Sequence, residues 1–304
     1  MTIFYGELSL SLMKIISFTL SILVIFATLF FVSCTQKENE IKLRVCSFNL
    51  RGVMDGDKDT RHWSHRKDIV ARFIKQRDID IVGTQESAIK QFPAFNELLN
   101  EYAYFGESSL GKKDGRVINL IVYKKSRFKL LKNETLWLSS TPEKMSKILD
   151  ASEPRTLTYG HFIDNKTGRD FFMFSTHFDH RGEKARCQQA KILVSLVEKI
   201  ANKKPFVIVG DFNAYENSQA INYIKSQNEF VDARTISKAK PIDMPHTFHA
   251  FKGYNKRAEN KFVRIDYIWL SKPSHALNYE VSNYNENGVY PSDHFPIVSD
   301  VVLK

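Results

Sequence analysis

The sequence predicts an α/β domain, and three observations carry that reading. Short runs rich in Val, Ile and Phe alternate along the chain with segments whose apolar residues recur at helical spacing. The run Pro205 to Val209 is continuous rather than alternating, the pattern of a strand covered on both faces. A chain of 304 residues with 43% hydrophobic content can also bury a full core, and is long for one domain but compatible with one.

At the N-terminus, Ile15 to Val32 is uncharged and largely apolar, preceded by Lys14 and followed by Ser33-Cys34 and the polar residues Thr35 to Glu40. That is a signal peptide's layout over residues 1–33, with Met13 a better start than Met1 because no positive charge precedes Lys14. Phe31-Val32-Ser33-Cys34 resembles the lipobox of bacterial lipoproteins, with Phe31 where leucine is usual. The resemblance implies cleavage before Cys34, acylation of its thiol, and a membrane-anchored protein on the periplasmic or outer side of the cell envelope. The run is also just long enough to remain as a transmembrane anchor, and either reading places the rest of the chain outside the cytoplasm. Residues 34–40 are then the lipidated cysteine and a short linker, and residues 41–304 the globular domain.

Within that domain Ile41 to Leu50 reads as a strand that delivers Asn49 at its end. Arg61 to Arg77, with Trp63, Val70, Phe73 and Ile74 among charged residues, predicts an amphipathic helix. Ile79 to Gly83 is a short strand that runs into Thr84-Gln85-Glu86. Val117 to Tyr123 and Leu130 to Leu138 read as strands joined by Lys124 to Arg127 and expected to pair. Ser139 to Glu153 is a polar loop or short helix, after which strands resume at once. Arg155 to Ile163 and Phe171 to Phe178 flank the turn cluster Asp164 to Gly168, a hairpin pattern whose second strand ends in Thr176-His177.

Glu183 to Asn202 predicts a helix with Ala190, Leu193, Leu196, Val197 and Ile200 as its buried stripe. Next comes the strand Pro205 to Val209, which ends in Gly210-Asp211-Phe212-Asn213. On an extended chain Asp211 and Asn213 share a face, so two oxygen-bearing side chains project together; a plain turn is the other reading of such a strand end. Ser218 to Phe230 predicts a helix capped by Ser218. Asp232 to Lys261 is poorly patterned and predicts a surface loop beside the site, with His246-Thr247-Phe248-His249 as its most distinctive stretch. Phe262 to Leu270, carrying Asp266, and Phe295 to Leu303, entered through Ser292-Asp293-His294, complete the strands.

The net charge of +10 comes from 44 Lys and Arg spread along the chain without a basic tail. It favours an anionic partner without choosing among nucleic acid, nucleotides, phospholipid headgroups and phosphosugars. Nothing marks an obligate protein partner. The three cysteines, Cys34, Cys46 and Cys187, lack metal-ligand spacing and are too few for a disulfide framework.

Asn49, Glu86, His177, Asp211, Asn213, Asp266, Asp293 and His294 thus fall at or just beyond the ends of separate apolar strands. In order, Ser47-Phe48-Asn49, Gln85-Glu86, Thr176-His177, Gly210-Asp211-Phe212-Asn213, Ile265-Asp266-Tyr267 and Ser292-Asp293-His294 resemble the motifs of the endonuclease/exonuclease/phosphatase superfamily, over about residues 41–304. The resemblance implies a DNase I-like fold, a four-layer sandwich of two packed mixed β-sheets flanked by helices. It implies a divalent metal, Mg²⁺ or Mn²⁺, on Glu86 with Asn49 nearby and Asp293 assisting, which suits hard oxygen ligands. It further implies that His177 and His294 flank the scissile phosphate and that Asp266 orients His294. Asp211 would address the attacking water, with the base either Asp211 or His294, and Asn213 a phosphate oxygen.

Arg155, His180 and Arg186 resemble substrate-binding positions of a bacterial secreted branch. The histidine-rich pattern favours a phosphodiester substrate over a sugar, inositol or nucleotide monoester, and a non-catalytic phosphate-binding surface lipoprotein is the rival reading. In many members a Gly-Glu pair here replaced by Gly115-Arg116-Val117-Ile118-Asn119 supplies a carboxylate to the histidine at His177. The replacement leaves Asn119 as a neutral partner or Arg116 as a phosphate contact.

Overall fold

The first strand shows how the site end is built. β1 (Ile41–Asn49) alternates buried and accessible residues as far as Arg44 and is buried throughout from Val45 to Asn49, so it enters at an open end and finishes inside. The computed structural model describes residues 40–304 apart from 112–113, 243, 245 and 255–262. The predicted signal peptide, Cys34 and the rest of the linker before Glu40 lie outside the described residues. After β1 come α1 (Trp63–Gln76), β2 (Ile81–Gln85), α2 (Phe92–Leu98), β3 (Tyr102–Phe105) and β4 (Ile121–Lys124). Next are β5 (Phe128–Trp137), β6 (Thr156–Asp164), β7 (Asp170–His177), α3 (Glu183–Ala201), β8 (Phe206–Asp211) and α4 (Gln219–Lys225). The chain ends with β9 (Phe230–Asp232), β10 (Asp266–Ser271), β11 (His275–Ala276), β12 (Glu280–Val281) and β13 (Ile297–Leu303).

Two mixed sheets result, one ordered β11-β13-β1-β2-β4-β3 with β12 also on β13, the other β5-β6-β7-β8-β10-β9. Each has a parallel pair near its centre, β1–β2 and β7–β8, and antiparallel neighbours elsewhere. Val45, Ile81, Met173, Val207, Val209, Ile268 and Ile297 fill the space between the sheets. On the outer face of one sheet lie Val70, Phe73 and Ile74 of α1, and on that of the other Leu193, Val194 and Val197 of α3. These are the four layers expected. The sheets approach most closely at Gly83, where a Cβ would overlap Val209 Cγ2 and also press on Ser175.

Several elements differ from the sequence expectation. β4 and β5 do not pair: β4 joins β2 and β3, whereas β5 joins β6 in the other sheet. Arg127, at the turn between them, explains the crossing. Its Nη1 donates to Asp80 just before β2 at 2.6 Å and its Nε to Asp164 at the end of β6 at 3.3 Å, so it ties the two sheets together. β4 also starts late, because Val117 takes a left-handed φ of 53° and Ile118 makes only isolated bridges to Ser87 and Ser108. α4 stops at Lys225, and Phe230 instead begins β9. α2 and β3 were not predicted, being short and without a long period. The loop after Asp232 is less superficial than expected where described: Thr247 and His249 are buried, and only Phe248 of the three is exposed. Among the described residues, no helix is long and apolar enough to cross a membrane.

Candidate active site

Strand register assembles the site. Asp211, the last residue of β8, stands opposite His177 at the end of β7 and Asp266 at the start of β10. Opposed residues point to the same face. Counting back by two from Asp211 gives Val209 and Val207, from Asp266 forward Ile268 and Leu270, and from Asn49 back Ser47 and Val45. Most of these line the inter-sheet core. The polar row is therefore the continuation of the apolar layer, at the end where both sheets stop.

Across the gap from that row, Asn49 Nδ2 donates to Asp211 Oδ2 and to Glu86 Oε1, each at 3.1 Å. Glu86 follows β2 in the left-handed region, φ 57°, which turns its carboxylate toward Asn49. Asn213 is also left-handed, φ 46°, and its amide N–H donates to Asp211 Oδ1 at 2.9 Å. The two side chains therefore converge through a tight turn and not, as the sequence suggested, by sharing a face of extended chain. Asn213 Nδ2 donates to the Phe178 carbonyl at 3.0 Å and lies 2.9 Å from His177 Nε2.

The two histidines have opposite electrostatic surroundings. His294 Nδ1 is 3.0 Å from Asp266 Oδ2 and its Nε2 is 3.8 Å from Asp211 Oδ2. Burial works against its charge, but Asp266, Asp211 and Asp293 outweigh burial and raise it to about 10. His177 is held well below the usual imidazole range, first by burial and then by Arg155, His294 and His180. Arg155 Nη1 donates to its Nδ1 at 3.1 Å. A guanidinium can only donate, so Nδ1 carries the lone pair, while Nε2 lies 2.9 Å from Asn213 Nδ2 and 3.5 Å from Asp211 Oδ2. Asp211 is pushed up to about 7, chiefly by burial and then by Asp266.

Asn119 and Arg116 do not meet His177. Asn119 Nδ2 donates to the backbone oxygen and Oγ1 of Thr156, both at 3.0 Å, and Arg116 is exposed and paired with Asp114. The partner of His177 is Arg155, itself buried. Its Nη2 lies 2.8 Å from Nδ1 of the exposed His180. Arg186, on α3, is one step further away, donating to the Asp179 carbonyl at 3.0 Å. Asp293 shares the end of the sandwich but is held by Arg51, whose Nη1 is 3.5 Å from its Oδ2, and by the Ser292 hydroxyl at 3.3 Å. Sequence reasoning did not find Arg51, Asp57 or Asp179. Phe248 it noted only as part of a loop; its ring packs 5.0 Å from that of His294, centre to centre.

Ligand atoms of Glu86, His177 and Asp211 lie within 4.8 Å of one another, as do those of Asp211, Asp266 and His294. The first group fits a hard divalent cation, since its two carboxylates, Glu86 and Asp211, converge from either side of Asn49.

Two mixed sheets between helical layers, with carboxylates, two histidines and two amides where the sheets end, define a DNase I-like phosphoesterase architecture. The chain belongs to the endonuclease/exonuclease/phosphatase family, whose sequence profile matches residues 46–294. An endonuclease/exonuclease/phosphatase from Bacteroides vulgatus is 31% identical, with a TM-score of 0.80 over 87% of this chain and 100% of that one. A mannosyl-6-phosphatase from Bacteroides thetaiotaomicron is 30% identical, with a TM-score of 0.77 over 85% of this chain and 99% of that one. Among curated proteins, the 3'-5'-exoribonuclease subunit Ccr4 of the CCR4-Not complex of Saccharomyces cerevisiae is 23% identical over 78% of this chain and 35% of its own length. The chain spans 35% to 59% of the length of the curated relatives it matches first.

Proposed function

We propose that the protein hydrolyses a phosphate ester by direct attack of water on phosphorus. The observation that carries this reading is the row His177–Asp211–Asp266, with His294 held on Asp266 and Asn49 and Glu86 facing Asp211. Asp211 Oδ2 accepts the proton of the attacking water. His294, protonated on Asp266, is not free to act as base. As the water oxygen bonds to phosphorus, the ester oxygen leaves with the bonding pair and is protonated by His294 or solvent. The Asn213 side-chain amide, beside His177 Nε2, donates to a phosphoryl oxygen, where charge accumulates. No serine or cysteine nucleophile is needed.

Glu86, with Asp211 and Asn49, would hold the divalent cation, and Asp293 would support it from behind Arg51. Mg²⁺ or Mn²⁺ suits these donors, and bound there it supplies positive charge to a phosphate oxygen. For the substrate we favour a phosphosugar monoester. The support is the mannosyl-6-phosphatase at 30% identity, together with the cations Arg155 and His294 around the row, which suit a dianion. A phosphodiester is the second reading, favoured by the motif pattern and by the exoribonuclease relative. Secretion and attachment through a lipidated Cys34 are also proposals, supported by the sequence of residues 13–34 alone.

A panel of mannose 6-phosphate, p-nitrophenyl phosphate, bis-p-nitrophenyl phosphate and a short RNA, each with Mg²⁺ or Mn²⁺, tests the reading. Turnover of the monoesters above the diesters is expected. The reverse order favours the second reading, and anion binding without turnover on any ester leaves only the non-catalytic one.

A further inference from the structure

One buried cation lies outside the row and, among the described residues, makes no ion pair with a carboxylate. Arg66, on α1, is fully buried. Its Nε donates to the Arg61 carbonyl at 2.6 Å. Nη1 donates to the carbonyls of Leu50 at 2.9 Å and Pro291 at 2.7 Å, and Nη2 to those of Arg51 at 2.9 Å and Gly52 at 3.1 Å. A guanidinium has five N–H groups, and each is spent on a backbone oxygen. The rings of Trp63 and Phe251 lie 5.4 and 5.5 Å from its carbon.

The oxygens it gathers belong to separate parts of the site. Leu50, Arg51 and Gly52 directly follow Asn49, and Pro291 directly precedes Ser292-Asp293-His294. A second link joins the same two segments, the Ser292 hydroxyl donating to the Asn49 carbonyl at 2.6 Å. Asn49 Nδ2 and His294 Nε2 both approach Asp211 Oδ2, at 3.1 and 3.8 Å, so these links fix how the Asn49 segment and the His294 segment meet at that oxygen. Burying a guanidinium without a carboxylate partner is costly, and an apolar side chain in its place would leave these carbonyls without a donor and the two segments untied.

We infer that Arg66 is a positioning residue for the proposed hydrolysis, holding the Asn49 segment and the His294 segment in the one relative placement that permits turnover. The inference rests on the hydrolytic reading of the row. Lysine would keep the charge but has three N–H groups for five carbonyls, so charge and clamp can be separated.

The test uses the full chain with Mg²⁺ and p-nitrophenyl phosphate, comparing the parent with Arg66→Lys, Ser292→Ala and the double variant. Melting temperatures and Mn²⁺ affinity are measured beside kcat and KM. Displacement of catalytic groups by an ångström costs about 100-fold in rate. Arg66→Lys should therefore lose about that in kcat, at temperatures well below its melting transition, with KM and Mn²⁺ affinity within about 3-fold. Ser292→Ala should lose less, and the double variant less than the product of the two, since both links join the same segments. A folded Arg66→Lys with parental kcat overturns the inference while parental turnover sustains the hydrolytic reading. Where Arg66→Lys does not fold, parental kcat in Ser292→Ala overturns it instead. A parent without turnover on any ester removes the hydrolytic reading and the inference together.

Discussion

Arg155 donates its Nη1 to Nδ1 of His177 at 3.1 Å, so a histidine at the head of the catalytic row is held by a cation and not by a carboxylate. That contact excludes protonation of Nδ1 and turns Nε2 toward Asp211 and Asn213. Arg155→Met should release the ring to either tautomer and lower kcat by about 100-fold, the scale of losing one positioned proton donor. Arg155→Lys should recover only part of it, since an ammonium cannot span His177 and His180 together. Nitrogen NMR of the parent should show His177 Nδ1 unprotonated at pH 7; a proton on Nδ1 would remove this account of Arg155.

His294 sets the alkaline limit of stability. Its folded pKa is raised to about 10, mainly through Asp266, so its contribution is complete below the unfolded value near 6.5 and is lost as pH rises through about 10. Asp211, raised to about 7, acts with the same sign at lower pH. In EDTA the melting temperature should therefore fall between pH 6.5 and 10, and His294→Asn should flatten that fall. An unchanged slope in the variant would place the titration elsewhere.

Asp179 works in the acid range. Burial acts to raise its pKa, but the amides of Gly182 and Arg181, the Ser152 hydroxyl and the Arg155 charge hold it at about 2. Its Oδ1 accepts from Gly182 N at 2.7 Å and Arg181 N at 3.0 Å, and its Oδ2 from Ser152 N at 2.8 Å and Oγ at 2.6 Å. Stability from this group is present above about 3.9 and disappears as pH falls through 2. Asp179→Asn should cost about 1–3 kcal/mol at pH 7 in urea unfolding and abolish the acid-dependent loss between pH 4 and 2. A variant as stable as the parent at pH 7 would show the hydrogen bonds to be dispensable.

Much of this was legible in the sequence because strand periodicity places chemistry. Asn49, His177, Asp211 and Asp266 each end or begin an apolar strand, and a period of two carries them to the face that the valines and isoleucines bury. The fold class followed from the same runs. Which sheet each strand joins did not: β4 and β5 are separated by only three residues, and the crossing depends on Arg127 meeting Asp80 and Asp164, both remote in sequence. The turn at Glu86 was hidden too, since a left-handed residue without glycine leaves little local trace, whereas the turn at Asn213 was one of the two readings of its strand end. Arg155 was read through the resemblance as a substrate contact, and Arg66 passed unremarked within the predicted helix; long-range packing buries both, and local pattern cannot see it.

Gly83 tests how the sheets support the row. A Cβ there would overlap Val209, two residues before Asp211 and on the same face of β8. Gly83→Ala should cost about 1–3 kcal/mol by overpacking. It should also lower kcat, because β8 must shift to admit the methyl. Calorimetry and kinetics on one preparation decide it; a variant with unaltered stability would mean that the sheets are not in contact at Gly83.

The central claim is that Glu86 and Asp211 belong to one metal-dependent hydrolytic site. It is tested most directly by p-nitrophenyl phosphate hydrolysis after EDTA treatment, with and without added Mg²⁺ or Mn²⁺, in the parent, Glu86→Gln and Asp211→Asn. The account predicts that EDTA abolishes turnover and the cation restores it in the parent. Glu86→Gln should need a higher cation concentration, and Asp211→Asn should stay inactive at saturating cation. Turnover that survives EDTA, or an Asp211→Asn variant as active as the parent, would contradict it.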